Sequence, residues 1–193
     1  LKQATQMKYD IGIAIAHYAI GDTYLNANMN NEAIEEYEIA MQKLHKVSDS
    51  EKLQEKVLIQ LIPTLIRMGR MDRAKAYLDQ MEQMNDYQHS RFIENIFQAY
   101  YYLHNNDMDK VRKYIQEAEE WYEYYPFYFH SSILKYIQAE YAKRIGDDEL
   151  AIKLYNELTI NTSSANVYNR YLKMKNSLAH LYTKQSRPRE ACA

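Results

Sequence analysis

The chain predicts an all-α solenoid, a stack of antiparallel helical hairpins, and three observations predict it. A small residue recurs at Ala33, Ala74, Val111, Ala151 and Ala191, at separations of 41, 37, 40 and 40 residues. A polar or Gly-containing turn precedes each one, at 28–32, 69–73, 106–110, 146–150 and 186–190. Only four Gly and three Pro occur in 193 residues, and so few breakers argue for long helices with short connections. A repeat of this length means stacked supersecondary units in one continuous array, not one globular core.

Each element follows from its periodicity. Ile13, Ala16, Ile20 and Tyr24 mark a first helix over 13–25. Ala33, Tyr37, Ala40, Met41 and Leu44 mark a second, since those offsets make one face of an α-helix. Asn30 or Asn31 is placed to cap it, and Glu32 favours its N-terminus. Helices near 52–68 and 72–84 form a second hairpin, those near 90–105 and 109–123 a third, and those near 128–145 and 148–159 a fourth. A helix near 165–185 opens a fifth, whose truncated partner starts at Pro188, a residue allowed in a first helical turn. Breaks fall at Ser48-Asp49-Ser50, Asn85-Asp86, Tyr125-Pro126 and 159–166. The single domain 1–193 thus divides into units of about 1–47, 48–87, 88–125, 126–163 and 164–193.

Composition narrows the function classes. Net charge is −2 with both signs mixed along the chain, so no basic stripe offers nucleic acid an electrostatic footprint. No apolar run approaches the roughly 18 residues that span a membrane; Gln60, Pro63 and Thr64 interrupt the longest stretch, 57–66. Cys192 is alone, which excludes an intrachain disulfide and leaves the compartment open. The chain starts at Leu1 and ends at Ala193, inside what should be a helix. Both ends read as cuts, and a larger parent protein is the expectation.

The pattern resembles the tetratricopeptide repeat (TPR) family. Ile20, Gly21 and Tyr24, then Ala33, Tyr37 and Ala40, match its signature in the first unit. Leu178, Ala179 and Tyr182 match in the fifth, and Ala139, Gly146, Ala151 and Tyr155 in the fourth. The second unit has Leu61, Leu65, Gly69 and Ala74, with Ile62 where a small residue is usual; the third has Ala99, Tyr102 and Ala118. Units here run three to seven residues beyond the family's 34. The resemblance implies a right-handed superhelix of about 4.5 repeats whose first helices line a concave groove. Carrying that register over places Tyr18, Asp22, Ile59, Pro63, Ile96, Tyr100, Tyr136, Glu140, Asn176 and His180 near the groove. The family's carboxylate clamp begins with a base and Asn, where this chain has Tyr18 and Asp22, so that clamp is rejected. A looser resemblance, carried by residues 176–192, is to repeat-containing sensor regions of bacterial histidine kinases and transcription regulators.

Chemistry-bearing patterns are sparse. The six histidines lack the i, i+4 spacing of a helical zinc site. Asn26, Asn28 and Asn30 lack the carboxylates and Gly of a calcium loop. His130-Ser131-Ser132 has no orienting acid, and the four glycines form no phosphate loop. No cofactor, metal or catalytic residue is implied for this region. His104, Asp107 and Asp109 read as turn and capping residues. Twenty tyrosines are the outlier. Tyr24, Tyr37, Tyr102, Tyr155 and Tyr182 fit packing positions, while Tyr100-Tyr101-Tyr102 and the run 121–129 are a surplus, either packing between units or a binding surface. The expectation is a noncatalytic scaffold for a protein or peptide ligand. It is read as the sensing or interaction region of a bacterial signalling protein of the two-component type, periplasmic if part of a membrane sensor kinase and otherwise cytoplasmic. The alternative is a cytoplasmic adaptor or co-chaperone-type assembly module. No nucleic acid and no membrane contact are expected, and a homodimer is a further candidate.

Overall fold

A computed structural model describes the backbone of residues 2–84, 88–124, 128–161 and 168–184, and the side chains of 8–84, 91–121, 132–158 and 173–184. Within them the chain alternates helix and tight turn, with no strand. The helices are α1 (Lys2–Asn26), α2 (Asn30–Leu44), α3 (Glu51–Arg67), α4 (Met71–Gln83), α5 (Gln88–His104), α6 (Met108–Tyr124), α7 (Tyr128–Ile145), α8 (Asp148–Asn161) and α9 (Tyr168–Lys184). Sequence periodicity places eight of these starts to within three residues. The exception is α1, which begins eleven residues before its apolar pattern does. The expected partner of α9, with Pro188 and Ala191, lies outside the described residues.

The four described hairpins turn in one way. Asn28, Gly69, Asn106 and Gly146 sit at the same register with φ of 62°, 71°, 60° and 85°. Only Gly, and next best Asn, adopts that left-handed conformation at little cost. The next residue donates its N–H back to the fifth carbonyl before it: Met29 to Tyr24, Arg70 to Leu65, Asp107 to Tyr102 and Asp147 to Ala142. These bonds satisfy carbonyls that the helix end leaves open. The recurrent small residue then enters the next helix fully buried, as Ala33, Ala74, Val111 and Ala151.

Capping differs between the hairpins. Asp107 accepts from the Lys110 N–H at 3.2 Å and Asp147 from the Leu150 N–H at 3.0 Å, each an N-cap. In the first hairpin neither Asn30 nor Asn31 caps. Met29 holds the cap position without a side-chain bond. The two asparagines instead accept from the next unit, Asn30 from Arg67 at 2.8 Å and Asn31 from Arg70 at 2.7 Å. They are stitches between repeats.

Within each unit the two helices pack on each other, and the second helix packs on the first helix of the next unit. The first helices α3, α5 and α7 also touch in succession, while the backbones of the second helices stand further apart, α2 and α4 being bridged by side chains from Glu38 to Arg73 and Tyr77. The first helices therefore form an inner layer and the second helices an outer one. α5 lies at the centre and is buried continuously from Phe92 to Ala99. Buried apolar side chains form two clusters. One runs from Ala14 to Ile137, and the other joins Ala139 and Ala142 to α8 and α9. Tyr136 packs against both. Pro63 stands inside α3, which continues through it. No helix among the described residues is long and apolar enough to cross a membrane.

Candidate functional site

The inner-layer register begins with a hydrogen-bonded closure. Tyr37 on α2 is fully buried and donates its hydroxyl to Asp22 Oδ1 on α1 at 2.6 Å. The Tyr18 ring lies 5.9 Å from that of Tyr37. Burial, then the Asp22 charge, holds the Tyr18 phenol above its usual range, and Gln60 of the next unit bonds to it. Burial and the Asp22 bond raise Tyr37 further. Gly21 makes the approach possible: a Cβ there would stand 2.6 Å from the Tyr37 ring.

The fourth hairpin repeats the closure. Tyr155 on α8 donates to Glu140 on α7, again fifteen residues apart. Lys143 bonds Glu140 at 3.1 Å and Ser177 of α9 at 3.0 Å. Burial, then Glu140, raises the Tyr155 phenol. Both carboxylates placed in the groove by sequence, Asp22 and Glu140, thus have a structural engagement as hydrogen-bond acceptors. Position alone could not reveal it, because the donors stand on the opposite helix.

The remaining groove residues divide by accessibility. Tyr18, Ile59, Pro63, Tyr100 and Tyr136 are half-buried on the inner layer, and Asn176 and His180 are exposed on α9. Ile96 is a correction. It is completely buried, because α5 is enclosed by its neighbours along that stretch, and it packs in the core without facing a groove. Tyr100 meets His104 edge to face, with centroids 4.9 Å apart. Tyr101 and Tyr102 are half-buried, and Tyr102 stacks on Tyr114 at 5.5 Å with the Lys110 ammonium 4.5 Å from its centroid. Tyr102 is thus engaged in packing, while Tyr100 stays half-buried beside His104. Trp121 packs against the core; the side chains of 122–129 lie outside the described residues.

Sequence reading missed one feature of the layers, which is charge. The first helices α1, α3, α5, α7 and α9 carry net 0, +1, 0, +2 and +4. The second helices α2, α4, α6 and α8 carry −3, −1, −2 and −2. A chain of net −2 therefore holds an inner layer of +7 against an outer layer of −8. The alternation was visible as helix-by-helix charge, but it reads as mixing until the helices sort into layers. Among the described residues no group of three or more His, Cys, Asp and Glu is arranged to hold a metal ion.

No protein-family model matches the chain. No curated protein matches it either. Solved structures of MamA are similar to it over most of its length. A MamA point mutant aligns over 92% of this chain and 91% of that one, at 16% identity and a TM-score of 0.42. The MamA chain designated MSR-1 covers 92% and 90% at 15% identity and 0.42, and that designated AMB-1 covers 92% and 85% at 15% and 0.40.

Proposed function

We propose that this region is a noncatalytic scaffold that receives a segment of a partner protein on its inner helix layer. The carrying observation is the row of half-buried tyrosines there. Tyr18, Tyr100 and Tyr136 lie on the first helices of the first, third and fourth units, half-buried and each backed by packing. Tyrosine is among the side chains that most often dominate binding energy once a partner covers them. Asn176 and His180 extend the row at its C-terminal end. We place the region in a bacterial signalling protein of the sensor kinase or regulator type, on the looser resemblance of residues 176–192. The rival reading is an adaptor that uses the same layer for constitutive assembly.

Peptides selected from a random display library against this chain provide the test. Titrated against Tyr100→Ala and Tyr136→Ala, the selected peptide should lose at least about tenfold in affinity, while the melting temperature moves little. Intact affinity with a large loss of stability would make the rings spacers and end the proposal. The parent sequence separates the two contexts: an adjoining membrane helix and kinase core mark the sensor, and a free adaptor chain lacks both.

A further inference from the structure

We infer that the C-terminal half of the inner layer receives an acidic segment of the partner protein, its carboxylates set against Lys173, Arg144 and His104 while its apolar side chains meet Tyr100 and Tyr136. The inference rests on the scaffold reading above and adds the chemistry of the partner.

Charge concentration is the first support. α7 and α9 hold +6 of the inner layer's +7, and α9 contains Arg170, Lys173, Lys175 and Lys184 with no acid. Many of the layer's cations have structural partners. Lys135 pairs with Glu157 at 2.7 Å and Lys184 with Asp148 at 2.5 Å, both across the layers, and Lys143 is held by Glu140. What these pairs leave is specific. Lys173 is exposed and forms no ion pair with a described residue. Arg144 is exposed and spends one N–H on the Leu103 carbonyl, beside His104. That bond compensates the open end of α5, as a cation at a helix C-terminus does. It also fixes the guanidinium of one unit against the last turn of α5 in the unit before.

Convergence is the second support. His104 on α5 has an open outer edge but a ring set partly under its neighbours; it lies edge-on to Tyr100 and feels the positive charges of both Arg144 on α7 and Lys173 on α9. Burial first, then those two cations, lowers its pKa. Glu140, already engaged by Tyr155 and Lys143, opposes them only in part. Two helices of successive units, α7 and α9, thus bring positive charge to one region beside the tyrosines and the His104 imidazole. An uncompensated cluster of this kind is relieved by an anionic ligand.

Geometry favours a short acidic protein segment over a nucleic acid. Packed helices stand about 8–10 Å apart, close to the Debye length of about 8 Å at physiological salt. A peptide lying on the inner layer is screened from the acidic outer layer. A long polyanion reaching past the inner layer meets that outer charge of −8 and is repelled.

The test uses a fluorescein-labelled twelve-residue peptide in which Glu alternates with Phe and Gly, its Gln and Lys counterparts, and a single-stranded oligothymidine of equal charge. Anisotropy should show the Glu peptide binding at least tenfold more tightly than the Gln peptide, with the preference fading as salt rises. Lys173→Glu should abolish the preference, and Arg144→Gln should reduce it; melting curves confirm that each variant is folded. Equal binding of all three peptides overturns the acidic inference and leaves the scaffold reading intact. If display-selected peptides fail as well, the scaffold reading falls with it. Tighter binding of the oligothymidine overturns the inference in favour of nucleic acid. Concentration-dependent self-association in sedimentation, lost in Lys173→Glu and unaccompanied by peptide binding, overturns it in favour of a second copy's acidic outer layer.

Discussion

The first and fourth hairpins close on a phenol–carboxylate bond, Tyr37 to Asp22 and Tyr155 to Glu140. The second and third carry Pro63 with Leu78 and Tyr100 with Ile115 at the same register, and Leu78 and Ile115 are buried. One backbone frame therefore accepts either a polar or an apolar closure. It does so because the left-handed turn and the small residue that follows set the approach of the helices before the closing side chain is chosen. The polar version adds a directional bond and places a carboxylate on the inner layer. The two polar hairpins also differ from each other: Gly21 lets Tyr37 come closer than any Cβ permits, while Ala139 occupies that register beside Tyr155.

The strongest way to break the comparison is to remove the closing ring. Tyr37→Ala should cost about 3–5 kcal/mol, the loss typical of a buried aromatic, read as a fall in the urea midpoint. A smaller loss than Leu78→Ala causes in the second hairpin would show that the polar closure carries no special weight.

Crowding gives the next effect. Gly21→Ala drives a Cβ against the Tyr37 ring, and Ala33→Phe overfills the same hairpin. Each should destabilise by about 1–3 kcal/mol. An unchanged urea midpoint for Ala33→Phe would count against the repeat register itself.

Hydroxyl deletion isolates the bond. Tyr37→Phe and Tyr155→Phe should each cost about 1–2 kcal/mol, because the carboxylate loses its donor in a partly buried place. The same bonds predict a pH dependence. Both phenols are raised above the model-peptide value of about 10, so the folded state holds their protons more tightly than the unfolded state does. Stability from this source is fully present below pH about 10 and falls as pH rises above it. Alkaline unfolding should be less steep in the double Phe variant. An identical alkaline profile would remove the closures as its cause. Tyr77, pushed up to about 12 by burial and then Glu38, contributes in the same direction.

Capping supplies the smallest effect. Asp107→Ala and Asp147→Ala should each cost about 0.5–2 kcal/mol. The first two hairpins offer no equivalent site, since Met29 and Arg70 hold their cap positions without side-chain bonds. A comparable loss from Asn31→Ala would come from the bond to Arg70, and removing Arg70 as well would expose that coupling.

Local chemistry made most of the architecture legible. Hairpin turns were readable because Gly or Asn must supply the left-handed residue. Helices were readable because a buried face repeats every three to four positions. Buried contacts at Gly21, Ala33, Ala40 and Ala151 were readable because close approach tolerates little side chain. The inner layer was legible only in outline. Its register put Tyr18, Tyr100 and Tyr136 on the inner layer, yet the same register put Ile96 there, and enclosure of α5 buries it.

By itself the sequence determined an all-α array of hairpins, since turn geometry and helical periodicity act over a few residues. Tertiary structure alone decided which side chains meet across longer separations. Tyr37 reaches Asp22 over fifteen residues, and Arg67 reaches Asn30 over thirty-seven. It also decided the charge layering. Alternating signs along a chain cancel in any sequence average, and they separate only when first helices pack against first helices and leave the second helices outside.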